Sequence, residues 1–236
     1  MITMINDMWK TLNPLTRLIT TFIFFYLFIL MVEICIQYFP WSNQSNFLVL
    51  KQDVVLTQPW RIAFQIHVLT SSFVLLAGFT QFSQYIRKKF SLVHRYAGWI
   101  YIVSTLGFAL PSGLILAVYA NGGFSTQLCF ILLGLLWGVS TLIALYFAIR
   151  KQWFRHRDWM IRSFALALSA LSLRTWKLVL YELQPYVEWL TPIHIYQLEA
   201  WLGWTINLLI AEVIIYYINT KELRFHLLLM SVTNSN

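Results

Sequence analysis

Apolar residues occur in six long runs, each bounded by short polar segments. The runs cover residues 18–39, 62–85, 96–119, 127–149, 159–180 and 200–218. A helix of roughly 20 residues spans the roughly 30 Å of hydrocarbon in a bilayer. The pattern therefore predicts an all-α integral membrane bundle of six transmembrane helices, forming a single domain over residues 1–236.

Lysine and arginine are concentrated in alternate polar segments, which orients the predicted helices. The amino-terminal segment, the second and fourth loops and the carboxyl-terminal segment hold most of them: Lys10, Arg17, Arg87, Lys88, Lys89, Arg95, Arg150, Lys151, Arg155, Arg157, Arg162, Lys221 and Arg224. An excess of these residues marks the cytoplasmic side of a membrane protein. Both termini are therefore predicted to be cytoplasmic, in the cell membrane, which in a bacterium is the inner membrane.

Composition agrees with a protein whose main partner is the lipid bilayer. Hydrophobic residues make up 59% of the chain and charged residues only 11%, which is typical of membrane proteins and not of soluble domains. The net charge of +8 does not indicate a nucleic-acid partner, because the cations form short clusters between apolar runs. Cys35 and Cys129 have no neighbouring cysteine or histidine at ligand spacing, so no metal ligands are predicted from them.

Polar residues recur at helical spacing within four of the six runs. On the second helix they are His67, Ser71, Gly78, Gln81 and Tyr85, and on the third His94, Gly98, Tyr101, Thr105 and Ser112. The fifth and sixth helices carry similar stripes, whereas the first and fourth are almost purely apolar, which predicts a supporting position for those two. Pro111 removes a backbone hydrogen bond and predicts a kink in the third helix.

Two ionisable residues are predicted to meet in the outer half of the membrane. His67 and Arg174 both lie roughly 8 to 9 Å below the outer boundary, at 1.5 Å per helical residue. An uncompensated charge near the bilayer centre costs about 3 kcal/mol, so such residues need partners or a wet cavity. We expect His67 and Arg174 to face one another in a polar core.

A second group of ionisable residues lies toward the cytoplasmic ends of the helices. Glu212 and Arg162 lie at similar depth, which predicts an ion pair. His94 and His156 are predicted to cluster at the inner rim, each followed by an arginine. There they either cap their helices or converge on an anion or a metal, with Arg95, Arg157 and Arg162 close by.

Several segments resemble a family of bacterial membrane proteins known as domain of unknown function 2306 (DUF2306). The matching segments are HVLTSSFVLLAGFTQF from His67, HRYAGWIY from His94, LPSG from Leu110, HRDWMIRSFAL from His156, LSLRTW from Leu171 and WLGWTINLLIAE from Trp201. The HR-x-x-G-W-x-Y and HR-x-W-M-x-R-S patterns carry most of the resemblance. It implies a multi-pass membrane protein and brings no established activity.

Three functions are compatible with the polar core. The first is a non-catalytic role in assembly, sensing or envelope maintenance, in which the polar groups only fix helix packing. The second is transport of a proton, an anion or an unidentified small molecule, with a symmetrical homodimer supplying a second half. The third is electron transfer by haem b, with His67 and His194 at the outer level, beside Arg174, and His94 and His156 at the inner level.

The sequence does not decide whether the protein is an enzyme. It contains neither GxSxG nor HExxH, and no glycine-rich phosphate loop, which argues against a soluble-type hydrolase. No catalytic residue and no specific metal site is therefore predicted. His67, Arg174, His94, His156, Arg162 and Glu212 are the predicted cofactor-binding or ligand-binding residues.

Overall fold

The computed structural model describes residues 13–38, 41–42 and 46–233, and the regular secondary structure within them is all helical. The helices are α1 Pro14–Ile36, α2 Gln58–Gln81, α3 Gln84–Lys89, α4 Ser91–Val103, α5 Leu110–Val118, α6 Phe124–Ile149, α7 Trp153–Ala167, α8 Ser169–Leu183 and α9 Pro192–Thr233. A π-helical turn, Ser104–Ala109, joins α4 to α5, and 3₁₀ turns form at Asn46–Lys51 and Gln184–Tyr186. The prediction of an all-α fold is confirmed.

Four helical segments are long and apolar enough to cross a membrane. They are Gln58–Gln81, Ser91–Val118, Phe124–Ile149 and Pro192–Arg224, and the bent pair formed by α7 and α8 passes the same test when its two halves are taken together as one span. These five agree with the second to sixth predicted helices. The first predicted helix, residues 18–39, overlaps the 23 residues of α1, although residue 39 lies outside the described part. A sixth crossing and the side of each terminus stay predictions.

The continuous helix Ser91–Val118, which we call the π-bulged helix, contains one irregular turn. Within Ser104–Ala109 the hydrogen-bond pairing changes from that of an α-helix to that of a π-helix, and the N–H of Leu110 donates to the carbonyl of Thr105, five residues earlier. Pro111 follows directly and has no N–H to donate. The irregularity predicted from Pro111 is therefore a π turn just before the proline, and such turns are frequent at functional sites.

The fifth span is bent, whereas the sequence predicts one helix over residues 159–180. Its two halves, α7 and α8, meet at Leu168 at an angle of 44°. The side-chain amide of Asn207 on α9 donates to the carbonyl of Ala165 at 3.1 Å, and its oxygen accepts from the Ser172 hydroxyl at 2.9 Å. Asn207 thus supplies a hydrogen-bond donor to a backbone carbonyl at the bend. A broken membrane helix requires such a partner, because lipid offers none.

The segment between α1 and α2 covers one end of the bundle, which we call the capped end. Leu48 and Val55 from this segment are buried against Trp60 and Phe64 at the start of α2, together with Tyr38. The buried side chains form a folded cap over the helix ends.

A buried lysine fastens this cap to the turn between α5 and α6. The Lys51 Nζ donates to the carbonyl of Tyr119 and to the Asn121 Oδ1, the latter at 2.5 Å. Burial lowers the pKa of Lys51, and the nearby Asp53 opposes that shift. The turn itself has left-handed backbone at Gly122 and Gly123, a conformation that glycine adopts without strain.

One face of the fourth span, α6, is buried in the bundle. Trp137, Thr141 and Ala144 on α6 are all buried, and Trp137 and Ala144 belong to the largest apolar cluster. Its other face is exposed at Leu135, Val139 and Leu142, which agrees with a supporting position, but the buried Thr141 hydroxyl was not predicted. Composition alone does not tell lipid contact from contact with other helices.

Candidate functional site

Three hydroxyl groups and one indole form a hydrogen-bonded network in the middle of the bundle. The Tyr101 Oη lies 2.8 Å from the Ser163 Oγ, which lies 2.7 Å from the Thr141 Oγ1. The Trp137 Nε1 donates to the Tyr101 Oη at 3.4 Å. Tyr101, Ser163 and Thr141 each have 0% of their surface exposed. This hydroxyl network joins the π-bulged helix, α6 and α7.

The sequence predicts half of this network. Tyr101 and Ser163 lie on the polar stripes of the third and fifth predicted helices. Thr141 and Trp137 were missed, because they belong to a run that was assigned to the periphery. The adjacent hydroxyl residues Ser140 and Thr141 inside that run were the available signal.

His67 is held by the π-bulged helix. Its Nδ1 lies 2.9 Å from the carbonyl oxygen of Ala109 and 3.5 Å from the Ser112 Oγ. A Cβ atom at Gly113 would lie 3.0 Å from the imidazole Cε1, so the ring packs closely on this glycine. A ring that donates from Nδ1 to a carbonyl carries its proton there, and in the neutral imidazole the lone pair is then on Nε2.

Arg174 has partners other than those of His67. Its Nη1 donates to the carbonyl of Ala170 at 3.1 Å, and its guanidinium lies close enough to Tyr38 for its charge to act on the phenol. The Tyr38 ring in turn contacts the Phe64 ring edge-on, with centroids 5.2 Å apart. Tyr38 therefore lies between Arg174 and α2, and the meeting of His67 and Arg174 stays a prediction.

A buried acid, Glu199, lies near Arg174 and was not predicted. Glu199 is only 6% exposed, and its Oε2 has no hydrogen-bond partner among the described residues. The positive charges of Lys177 and Arg174 lie close enough to act on it. The sequence predicts a loop at Glu199, because the apolar run begins only at residue 200. In the structure α9 begins at Pro192, about two helical turns earlier, and therefore includes Glu199.

His94 and His156 lie close together at the end of the bundle opposite the cap, which we call the basic end. The charges of His156 and Arg87 both act on His94. The His156 ring is oriented by its Nδ1, which lies 2.8 Å from the carbonyl oxygen of Ala144. The His94 Nδ1 is buried without a hydrogen-bond partner in the described part of the chain.

Arg162 and Glu212 form the predicted ion pair. The Arg162 Nε and Nη2 donate to the two carboxylate oxygens of Glu212 at 2.6 and 2.8 Å. Bidentate geometry is the strongest arrangement for this pair. The guanidinium also lies 4.7 Å from the ring centroid of Trp159. Both charges are thus compensated within the bundle.

A second ion-pair cluster ties α7 to the end of α9. Arg157 binds Asp158 at 2.8 Å and Glu222 at 2.5 Å, and it also donates to Asn219. Asn219 closes the cluster by donating to Asp158 at 3.0 Å. Arg157 and Arg162, which the sequence offered as partners for a bound anion, are therefore already paired with carboxylates.

The outer pair of haem ligands suggested by the sequence stays a prediction. His194 is exposed in the first turn of α9, and its Nδ1 lies 2.7 Å from the Trp189 carbonyl and 3.0 Å from the Thr191 hydroxyl. His67 has its separate partners on the π-bulged helix. Among the described residues no group of three or more His, Cys, Asp or Glu side chains is arranged to hold a metal. Haem b at His94 and His156 stays a prediction.

One family model matches the chain, over residues 64–215, and its description is predicted membrane protein, DUF2306. The matched range is well over half of the chain and includes all six predicted site residues. No curated protein and no solved structure matches the sequence.

Proposed function

The chain belongs to the DUF2306 family of predicted membrane proteins, and from that premise we propose that it transfers protons across the membrane along the π-bulged helix. The observation that carries this proposal is the hydroxyl network of Tyr101, Ser163 and Thr141, buried between three membrane-spanning segments. Hydroxyl groups both donate and accept. A connected set of them is able to pass a proton by exchanging hydrogen bonds.

A titratable group lies on each side of the network, one on the π-bulged helix and one in contact with it. His94 lies seven residues before Tyr101, about 10 Å at the rise of an α-helix. On the other side Ser112, eleven residues beyond Tyr101, is in contact with His67. The Thr105 hydroxyl lies between these two levels, fully buried and without a hydrogen-bond partner in the described chain. Imidazoles are the side chains best suited to exchange protons near neutral pH.

The layers between these levels are packed with apolar side chains, so we propose that the described conformation is closed to protons. Phe164 packs on α2 so tightly that a Cβ at Gly78 would lie 2.1 Å from its ring. Its ring centroid lies 6.5 Å from that of Tyr101. The backbone is irregular at two places, the π turn and the bend at Leu168. Opening of the bundle at these two places requires the least loss of hydrogen bonding.

We further propose six membrane crossings, with both termini in the cytoplasm and the protein in the cell membrane. Support for the sixth crossing comes from α1, whose 23 residues give about 34 Å of helix. Support for the orientation comes from the lysines and arginines of the amino-terminal segment and the even loops. In a bacterium this membrane is the inner one.

We propose that two copies of the chain form a homodimer through the exposed face of α9. Glu212 is 47% exposed even though it is paired with Arg162, which is 22% exposed. It lies between Leu209 and Val213, which are 65% and 61% exposed. A half-exposed carboxylate within a lipid-facing helix is costly, and a second copy packed on this face would cover it.

Reconstitution tests the proton-transfer proposal directly. Purified protein is incorporated into liposomes that contain a pH-sensitive dye, and a membrane potential is imposed with potassium and valinomycin. We expect the internal pH to change several-fold faster than in protein-free liposomes of the same composition. Equal rates in the two preparations, over a range of imposed potentials, would contradict the proposal.

A further inference from the structure

One carboxyl group is buried in a membrane-spanning helix and lacks a hydrogen-bond partner. Glu199 belongs to α9, within the span Pro192–Arg224, and only 6% of its surface is exposed. Its Oε2 is buried and accepts no hydrogen bond from any described residue. An ionised carboxylate in such a position is costly, whereas a protonated carboxyl avoids most of that cost. Glu199 therefore requires either a bound proton or a paired cation.

The facing helix, α8, carries a lysine at the level of Glu199. The two helices pack closely where a Cβ at Gly203 would lie 2.8 Å from the Leu173 side chain and 3.3 Å from the Leu173 backbone nitrogen. Lys177 lies one turn after Leu173 in α8, and Glu199 lies one turn before Gly203 in α9. Because the two helices are antiparallel, these two steps lead to the same level of the bundle.

Contacts on the other side of this level give the same alignment. Leu180 of α8 and Ile195 of α9 are buried in one apolar cluster, about one turn beyond Lys177 and Glu199 respectively. Lys177 and Glu199 do not form an ion pair with one another in the described structure. The Lys177 Nζ lies instead 5.8 Å from the centroid of the Tyr181 ring. The lysine is thus opposite the carboxyl but is not bound to it.

The other titratable groups near Glu199 do not replace the missing partner. Arg174 on α8 acts on Glu199 through its charge, but its Nη1 donates to the carbonyl of Ala170. Tyr196, one turn before Glu199, is affected by the charges of Glu199 and of Cys129 in α6. Tyrosine and cysteine side chains are neutral at neutral pH, so neither offers a cation. The Oε2 of Glu199 is left to bind a proton.

We infer that Glu199 is a proton-binding site and that Lys177 is its alternative partner. With a proton bound, the carboxyl is neutral and suits its buried position. When that proton leaves to water, a carboxylate with one negative charge remains. The Lys177 ammonium, on its flexible four-carbon stem, is able to reach this carboxylate by leaving the Tyr181 ring. Release of the proton thereby joins α8 to α9 by an ion pair.

A proton is the ligand that this site fits, because it needs a single oxygen. A metal ion needs several ligands, and among the described residues no group of three or more His, Cys, Asp or Glu side chains is arranged to hold one. The inference does not depend on proton transfer through the hydroxyl network. Flux in liposomes tests that proposal, whereas the protonation of Glu199 is measured on the protein at equilibrium.

Infrared difference spectroscopy measures the bound proton directly. A protonated carboxyl has a carbonyl stretching band that is separate from the bands of carboxylates and backbone amides. Wild-type protein in lipid is titrated from about pH 6 to about pH 9, above the ordinary range of carboxyl groups. We expect a carboxylic acid band that disappears as the pH rises and that is absent from Glu199→Gln. Glu182→Gln, which removes an exposed carboxyl of α8, is the matched control and should keep the band.

A lysine variant tests the alternative partner. Lys177→Met removes a cation that favours the carboxylate, so the carboxylic acid band should persist to higher pH and be several-fold stronger than that of the wild type at about pH 8. Lys88→Met, at an exposed position of α3, should titrate as the wild type does. Equal titration in the two lysine variants would overturn the assignment of Lys177.

The wild-type spectrum decides the inference even where a variant does not fold. A wild-type protein without a carboxylic acid band over this range would overturn the proton site at Glu199. So would a band that remains unchanged in Glu199→Gln. Both lysine variants keep Glu199, so the shift expected for Lys177→Met is measured independently of Glu199→Gln.

Discussion

The Nδ1 of His67 lies 2.9 Å from the carbonyl oxygen of Ala109, the last residue of the π turn. This contact joins α2 to the π-bulged helix at the position where its backbone pattern changes. Ser112 also approaches both groups. The contact between the imidazole and this carbonyl therefore stabilises the π turn.

Removing the imidazole is expected to destabilise the bundle. His67→Ala should lower the free energy of unfolding by about 1 to 3 kcal/mol, since a buried hydrogen bond is lost and its carbonyl partner stays buried. Thermal or denaturant unfolding in detergent measures the effect. His194→Ala removes an exposed histidine that bonds only to Trp189 and Thr191. Equal losses in the two variants would show that the contact with Ala109 is not stabilising.

Asn207 is expected to be required for the bend in the fifth span. Asn207→Leu removes the donor to Ala165 and the acceptor for Ser172, and should cost about 1 to 3 kcal/mol of stability. Thr205→Val is the control, because the Thr205 hydroxyl donates to the carbonyl of Trp201 in its own helix. A midpoint of unfolding for Asn207→Leu as high as that of Thr205→Val would refute the assigned role.

The buried Lys51 predicts a pH dependence of stability. Burial lowers the pKa of Lys51 from its usual 10.5, so between the folded-state pKa and 10.5 the unfolded chain binds more protons than the folded one. Stability should therefore rise with pH through that window. Lys51→Met removes this rise, whereas Lys88→Met, at an exposed position, keeps it. Unfolding temperatures measured from pH 8 upward give the comparison, and an unchanged profile in Lys51→Met would contradict the assignment.

The Arg162–Glu212 pair is expected to behave as a unit. Arg162→Leu leaves the carboxylate uncompensated and should cost up to about 3 kcal/mol, with a similar effect of Glu212→Leu. The double variant should recover most of that loss, because replacing both charges removes the need for compensation. A double-mutant cycle on unfolding free energies measures the coupling. Additive losses would mean that the pair is not coupled.

The sequence predicts the helical spans well, because a run of about 20 apolar residues has few other folds available. It also predicts the Arg162–Glu212 contact, since two opposite charges at equal depth in the membrane compensate one another when they pair. It does not predict the contributions of Thr141 and Asn207. A single hydroxyl or amide in an apolar run shows no periodicity, so only the packing of helices determines what it contacts.

The meeting of His67 and Arg174 stays a prediction, and it shows what depth can supply. Depth along each helix places the two residues at the same level, but depth does not give the rotation of a helix or the residues between two helices. Tyr38, just after α1, lies near Arg174 and packs on Phe64 of α2. Its contribution depends on a distant segment of the chain, which spacing rules do not capture.

The central claim is that protons pass through the hydroxyl network, and the Tyr101→Phe variant tests it most directly. This change removes one hydroxyl and keeps the ring, so the bundle is expected to stay folded. In liposomes under an imposed potential, proton flux should fall at least about tenfold relative to the wild type. Thr70→Val, which removes a hydroxyl bonded within α2, should leave the flux unchanged. Wild-type flux in a folded Tyr101→Phe protein would contradict the account.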